Sequence, residues 1–341
     1  MTLTRKQFLH GAATASLAAA TLPSFAILSA SAARRTIIKF GLDLTADHPT
    51  TVNATAAAKK IKDATNGDVE IQLFANSQLG DDTHMLSNLR SGAMQMMAIG
   101  DNILSTLVPT CAIDNIGFAF KDAETAWKAL DGKVGDLVRA DIAKTGLHAM
   151  TRIWDEGFRE VTASTRPIRT PQDLQGFKIR VPPSPISLSL FQSLGASPIT
   201  INASELYTSL QTKVADGQEN PLGNIHTMKL DQVQKYCSLT NHMWVGYWLL
   251  MSGPFWSALP AEHQKIVAET FDAQAVEQRA ANQKLDASLE QVLKTQGMEF
   301  VGVDPTAFQA VLTKSGFYKN WQGKFGAPLW SALESYTGPL A

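Results

Sequence analysis

Cysteine is nearly absent: Cys111 and Cys237 are the only two in 341 residues. Two cysteines make neither a disulfide framework nor a four-cysteine zinc site, and these two read as small buried hydrophobes. An excess of one charge sign is also lacking. Thirty Lys+Arg stand against 31 Asp+Glu, a net −1, which leaves no electrostatic footprint for nucleic acid or anionic lipid. Beyond the first thirty or so residues, no apolar run approaches the ~20 residues of a membrane helix. Residues 243–251 are too few for one and read as a buried strand. The chain has no G-x-S-x-G, H-E-x-x-H, C-x-x-C, Walker loop or G-x-G-x-x-G. Its seven histidines never fall three or four apart, so no local helical pair offers itself to a metal. The expectation is therefore no catalytic residue, no resident metal and no organic cofactor. Oxygen-ligated calcium or sodium would leave too weak a trace in a sequence to be read.

What is present is ordinary globular material, 45% hydrophobic and 18% charged. At about 150 residues per domain its length suggests two domains. The first segment is an address. Thr4-Arg5-Lys6-Gln7-Phe8-Leu9 precedes an alanine-rich, weakly apolar run, and Ala30-Ser31-Ala32 has the small-x-small form of a cleavage site. Lys6 stands where a twin-Arg signal has its second arginine, so the route is twin-Arg-like or Sec and the destination the periplasm. Ser16, Thr21, Pro23 and Ser24 within the run suit a removable signal better than a membrane anchor.

The rest alternates strands and helices, which argues an α/β fold. Strands are predicted at 36–43, 69–74, 94–99, 147–153 and 178–181. Helices are predicted at 49–65, 81–89, 123–130 and 134–145. Two more are expected to open at Thr170-Pro171-Gln172-Asp173 and at the box-like Asn202-Ala203-Ser204-Glu205. Residues 261–296 contain no glycine or proline and are rich in Ala, Glu, Gln, Lys and Leu. A straight helix of that length spans roughly 54 Å, against ~35–40 Å for a domain of about 150 residues. It holds no clean heptad, so the favoured reading is a helix lying along both domains; a projecting coiled coil is the other.

The stretch 157–220 carries the functional signal. It contains Gly157-Phe158-Arg159, Arg166-Pro167-Ile168, Asp173-Leu174-Gln175-Gly176 and Lys178-Ile179-Arg180-Val181-Pro182. Leu194-Gly195-Ala196-Ser197-Pro198, Glu205-Leu206-Tyr207 and Ala215-Asp216-Gly217-Gln218-Glu219-Asn220-Pro221 follow. Outside it lie Ser77-Gln78-Leu79-Gly80 and Leu259-Pro260. In these pieces the chain resembles the solute-binding subunits of TRAP transporters, the DctP-type family, over nearly all of its length after the signal. Trp154-Asp155-Glu156, just before the Gly-Phe-Arg motif, is more acidic than that pattern.

The resemblance implies a bilobal, periplasmic-binding-protein-like (type II) α/β fold with a cleft between two lobes and a long helix across both. Carried onto this chain, it puts the export signal at 1–33, lobe one at 34–156 plus 246–285, and lobe two at 157–245 plus 286–341. It implies capture of a small organic acid and delivery to a permease of one small and one large membrane subunit, driven by an ion gradient. The binder is read as a monomer. The alternative is an exported, hydrolase-like enzyme on the same two-lobe frame.

Site residues follow the same transfer. Arg180, at a strand end held by Pro182-Pro183, matches the arginine that anchors the ligand carboxylate, and a fixed guanidinium suits that bidentate role. Asn220 matches a carboxylate contact; otherwise it caps the helix after Pro221. Arg159 matches a second arginine; otherwise it pairs with Asp155 or Glu156. Trp244 could wall the cleft or be plain core, and Trp154 and Trp248 could likewise stack on a ring. Asp43, Asp82 and Asp101 fall on lobe-one loops that face the distal end of a ligand, where the competing reading is a solvated carboxylate. Met94, Met96 and Met97 read as core filling.

Overall fold

The computed structural model describes residues 35–340; the export signal read at 1–33 lies outside them. In chain order the strands are β1 (Thr36–Gly41), β2 (Val69–Phe74), β3 (Met96–Gly100), β4 (Leu147–Ala149), β5 (Trp154–Phe158), β6 (Glu160–Ala163), β7 (Lys178–Val181), β8 (Ser197–Thr200), β9 (Gly217–Asn220), β10 (Tyr236–Leu239), β11 (Trp244–Ser252) and β12 (Glu299–Gly302). They form two six-stranded sheets. The first runs β2-β1-β3-β11-β4 with β5 also on β11; the second runs β12-β10-β6-β9-β7-β8. β1 is parallel to β2 and β3, while β11 is antiparallel to β3, β4 and β5. The fold is thus the bilobal α/β architecture, one sheet per lobe. All nine residues of β11 are buried, which is why residues 244–252 read as a continuous apolar run and not as an alternating one.

The chain passes between the sheets at three places. Arg159 alone separates β5 of the first sheet from β6 of the second, residues 240–243 join β10 to β11, and the Ala261–Thr295 helix leads back to β12. That helix starts after Pro260 and stops before Gly297, whose φ is +100°, a left-handed position that a side chain would strain. Val267, Phe271 and Ala275 near its start belong to the apolar core under β1 and β2. Leu289 and Leu293 near its end belong to a separate core with Leu206, Leu210 and Cys237. Between them, Gln278, Arg279 and Asn282 are buried and polar, and they satisfy β5. Gln278 Oε1 accepts from Asp155 N at 2.9 Å, and Arg279 donates to Asp131 and to the Ile153 carbonyl. One helix therefore fills two cores and pins the strand at the first crossing.

Three local expectations change in detail. The turn at Thr170 is a single 3-10 turn, Pro171–Leu174, although the Asp173 carboxylate does accept from Thr170 N and Oγ1. Asn202 does not cap its helix; its Nδ2 donates to Asp81 Oδ2 at 3.1 Å in the other lobe. The strand expected at 147–153 stops at Ala149, because the Arg152 amide turns to Asp272 and not to a ladder partner. At the C-terminal end, the Ala327–Thr337 helix packs on the Ala123–Asp131 and Lys133–Lys144 helices, while Pro305–Ser315 and Phe317–Phe325 pack on Pro185–Ser193.

Candidate functional site

At the first crossing, Arg159 is 2% exposed and each of its three guanidinium nitrogens has a partner. Nε bonds the Glu219 carboxylate, Nη1 donates to Glu156 Oε2 at 3.1 Å, and Nη2 donates to the Glu219 carbonyl at 2.8 Å and to Asn220 Oδ1 at 3.1 Å. From the second crossing, His242 Nε2 reaches Glu219 Oε2 at 3.2 Å, and its Nδ1 meets Thr240 Oγ1 at 2.8 Å. Burial pushes the Glu219 carboxyl up, but the charge of Arg159 outweighs it and, with His242, holds the group down at about 2. β9 is thus clamped to both crossings through one carboxylate.

Arg180 presents the opposite condition. It sits on β7, is 2% exposed, and its one hydrogen bond among the described residues runs from Nε to the Ile201 carbonyl at 2.8 Å. Among the described residues it makes no salt bridge. Burial lowers its pKa to about 10, the signature of a desolvated cation without an adequate partner. The Nε bond fixes the plane of the fork and leaves both terminal nitrogens unengaged.

Arg180, Arg159 and Asn220 line one cavity with Asp43, Glu156 and Tyr247. Glu156 Oε1 accepts from Tyr247 Oη at 3.1 Å and from Asn224 Nδ2 at 2.9 Å, and burial pushes its pKa up to about 7. Asn224 Oδ1 in turn meets His48 Nε2 at 3.1 Å, while His48 Nδ1 accepts from Thr50 N. The imidazole proton is therefore on Nε2, and a chain of hydrogen bonds runs from the first lobe's helix cap to the second lobe's wall. Burial pushes Asp43 up to about 6, and burial beside the Asp43 and Asp81 carboxylates pushes Asp82 well above its ordinary range. The enclosed space is about 20 Å³, little more than a water molecule needs. A space of that size does not admit an organic acid.

Of the eight residues singled out in the sequence, the structure gathers Arg180, Arg159, Asn220 and Asp43 in this wall, with Asp82 against Asp43. The other three stand elsewhere. Trp154 is fully buried, its ring packed on Phe271 in the first lobe's core. Trp244 is also core: its ring meets Phe120, and Nε1 donates to Asp155 Oδ1 at 2.8 Å. Asp101 has its lone pairs turned inward, accepting from Gly246 N at 2.7 Å and Asn115 Nδ2 at 2.8 Å. It holds the bulge in β11 between Val245 and Gly246. Trp248, too, is core.

The sequence reading did not single out Glu219, Asn224 or Tyr247. Glu219 and Asn224 flank Asn220, but their partners lie 60 and 176 residues away, and Tyr247 is one hydroxyl within an apolar strand. The surplus acids Asp155 and Glu156 have a structural use. Asp155 also accepts from Trp127 Nε1 at 3.1 Å and from Asn282 Nδ2 at 2.7 Å. Among the described residues no group of three or more His, Cys, Asp or Glu is placed to hold a metal ion, and no helix is long and apolar enough to cross a membrane.

Comparison with known proteins agrees with this geometry. Residues 40–317 match the model of the bacterial extracellular solute-binding proteins, family 7. The chain is 33% identical over 261 residues to the 2,3-diketo-L-gulonate-binding periplasmic protein of Escherichia coli K12, covering 75% of this chain and 79% of that one. It is 31% identical over 302 residues to the C4-dicarboxylate-binding periplasmic protein of Rhodobacter capsulatus, covering 87% and 90%. A TRAP periplasmic solute-binding protein from Polaromonas sp. JS666, bound to D-erythronate, superposes with a TM-score of 0.85 at 29% identity over 88% of this chain and 99% of that chain. One from Sulfurospirillum deleyianum with bound succinate gives 0.83 at 28% identity, over 89% and 99%.

Proposed function

Because the chain belongs to the bacterial extracellular solute-binding proteins of family 7, we propose that Arg180 is the anchor for the carboxylate it captures. The protein is the periplasmic solute-binding component of a TRAP transport system, and its ligand is a small organic carboxylate. The observation that carries the residue assignment is the buried, unpaired guanidinium of Arg180 on the cavity wall. A desolvated cation is costly unless an anion meets it, and a planar fork fits a carboxylate with two parallel bonds. Asn220 is placed to support the same carboxylate from β9, and Asp43 and Asp82 to face its distal end. Arg159 sets the wall they stand on.

The lobes are proposed to divide near the crossings, 34–156 plus 246–285 against 157–245 plus 286–341; the sheet membership of β1–β5 and β11 against β6–β10 and β12 supports this except at the edges, where residues 157–158 and 244–245 belong to first-sheet strands and the Ala327–Thr337 helix packs on first-lobe helices. The two-lobed closure would present one face to a permease with a small and a large membrane subunit, the protein itself being a monomer. Export by a twin-Arg-like or Sec signal at 1–33 completes the reading. The enzyme alternative has no support: relatives and neighbours are binding proteins, and the site is read as one that holds its ligand unchanged and needs no cofactor.

The test is calorimetry on the purified chain with an identified acid, comparing Arg180→Lys with the parent. Lysine keeps the charge and loses the two-donor fork. A hydrogen bond to a charged group contributes on the order of 1.5–3 kcal/mol, so affinity should fall about 10- to 150-fold with an unchanged circular dichroism spectrum. Unchanged affinity in a folded variant places the anchor elsewhere.

A further inference from the structure

Behind Asn220 a row of buried polar side chains crosses the second sheet. Asn220 and Gln218 lie two residues apart on one face of β9, and Thr162 stands opposite Gln218 on β6. Asn220 Nδ2 donates to Gln218 Oε1 at 2.5 Å, and Gln218 Nε2 donates to Thr162 Oγ1 at 2.9 Å. Thr162 Oγ1 donates to Gln234 Oε1 at 3.0 Å, and Gln234 Nε2 donates to the Val233 carbonyl at 2.9 Å. Gln218 and Thr162 are fully buried, and Gln234 is 2% exposed. The sense of every bond is forced from the two ends. An arginine can only donate, so the Asn220 atom that meets Arg159 Nη2 at 3.1 Å is the oxygen, and the amide nitrogen must face Gln218. At the far end the Val233 carbonyl can only accept. No amide between them can turn over alone without setting two donors or two acceptors against each other, and buried polar groups avoid such mismatches. The bonds all point one way, so each polarises the next.

Resting on the reading of Asn220 as a support for the ligand carboxylate, we propose that Gln218, Thr162 and Gln234 are positioning residues for ligand capture: they hold the Asn220 amide so that it shows the cavity an N–H and not its oxygen. Asn220 lines the cavity, and the three residues behind it do not. Asn220 Oδ1 is held by Arg159 Nη2 and by Asn224 Nδ2. One Nδ2 hydrogen goes to Gln218; the other has no partner among the described residues and is the one left to the ligand. A carboxylate, which only accepts, fits that donor. With the relay cut at Thr162 or Gln234, Gln218 loses what fixes its own amide. Only Asn224 and Arg159 then oppose a turn that would aim the Asn220 oxygen at the carboxylate, a repulsive contact in a desolvated site.

Thr162→Val and Gln234→Met each remove one relay member with little change of volume, and either serves if the other does not fold. The probes are D-erythronate, succinate and D-glucuronate, titrated calorimetrically into the purified protein. Asn220→Ala should lower the affinity of the tightest probe about tenfold or more, and each relay variant should lower it about 3- to 10-fold. Thr162→Ser, which keeps the hydroxyl, should restore affinity to within about twofold of the parent. Combined with Asn220→Ala, the relay substitutions should cost nothing further, because the group they position is gone; a loss by general loosening of the fold would persist in that background. Parent-like affinity in the folded relay variants, or a relay loss that persists beside Asn220→Ala, overturns the proposal. The reading of Asn220 is scored separately. If Asn220→Ala costs tenfold and the relay variants nothing, Asn220 stands and the relay falls; if Asn220→Ala itself changes nothing, both fall. Should none of the three probes bind, the ligand-free protein labelled with 15N-asparagine decides. The Asn220 side-chain N–H resonances, identified by their loss in Asn220→Ala, should shift in Gln234→Met, and unmoved resonances overturn the proposal.

Discussion

Arg159 and Arg180 share one cavity wall in opposite conditions: the first has all three guanidinium nitrogens bonded, to Glu219, Glu156 and Asn220, and the second makes a single bond among the described residues, to the Ile201 carbonyl. The sequence pattern makes Arg180 the anchor and Arg159 a second arginine or a partner of Asp155 or Glu156; the structure shows the pairing of Arg159 with Glu156, and Arg180 is the one proposed to meet the ligand. Substitution should separate them. Arg159→Ala leaves Glu219 as an uncompensated buried charge, and breaking such a pair costs about 3–5 kcal/mol. Denaturant unfolding of the ligand-free protein should show that loss for Arg159→Ala and little change for Arg180→Lys. Equal losses would show that Arg180 is structural as well.

His48 and Asn224 join the lobes in the closed form at 3.1 Å. Burial lowers the His48 pKa to about 4, below the ordinary value of about 6.5. Above about 6.5 the imidazole is neutral both folded and unfolded and titrates in neither. As pH falls from there toward 4, the unfolded chain takes the proton first, so stability is lost across that window. His48→Gln keeps a side-chain amide but cannot titrate. Melting curves at pH values between about 6.5 and 4 should fall more steeply for the parent than for the variant; parallel curves would mean that the imidazole is not held neutral.

Glu160 carries the opposite sign. It is buried, accepts from Asn241 N at 2.9 Å, and burial pushes its pKa up to about 8. A raised carboxyl pKa gives stability that is complete below the unfolded value of about 4.3 and lost as pH rises through 8. Glu156 and Asp286, both pushed up to about 7, act in the same direction. Glu160→Gln preserves the acceptor and removes the charge. Between pH 6 and 9 its melting temperature should fall by about 3 °C less than the parent's, or more, given about 2–4 °C per kcal/mol in domains of this size. A variant that falls as steeply would assign the alkaline loss to Glu156 and Asp286 alone.

Trp244→Phe tests the core placement of that side chain. The ring volume is largely kept, but Asp155 loses its 2.8 Å donor from Nε1. A buried acceptor left short costs about 1–3 kcal/mol, which chemical denaturation would register. Carboxylate affinity should stay within about threefold, because the indole touches Phe120 and Asp155 and not the cavity. A larger drop in affinity with unchanged stability would restore Trp244 to the ligand.

Whatever depends on near neighbours was legible in the chain. Strand β2 and strand β7 lie where alternation and flanking turns put them, and the 35-residue helix runs between the Pro260 and Gly297 that bound it. The motif that carries Asn220 likewise supplies Gly217, whose added Cβ would stand 2.7 Å from the Phe177 ring; that glycine is required by close packing. The tertiary structure alone decided which polar side chains are free. Arg159 and Arg180 both belong to the motif stretch, and Asp43 and Asp101 look equivalent in the chain. What distinguishes them is a partner 60 residues away in Glu219, or 145 away in the Gly246 amide. A cation or a carboxylate becomes available to a ligand only when no such distant group satisfies it, and desolvation then makes that missing partner the strongest chemical feature of the cleft.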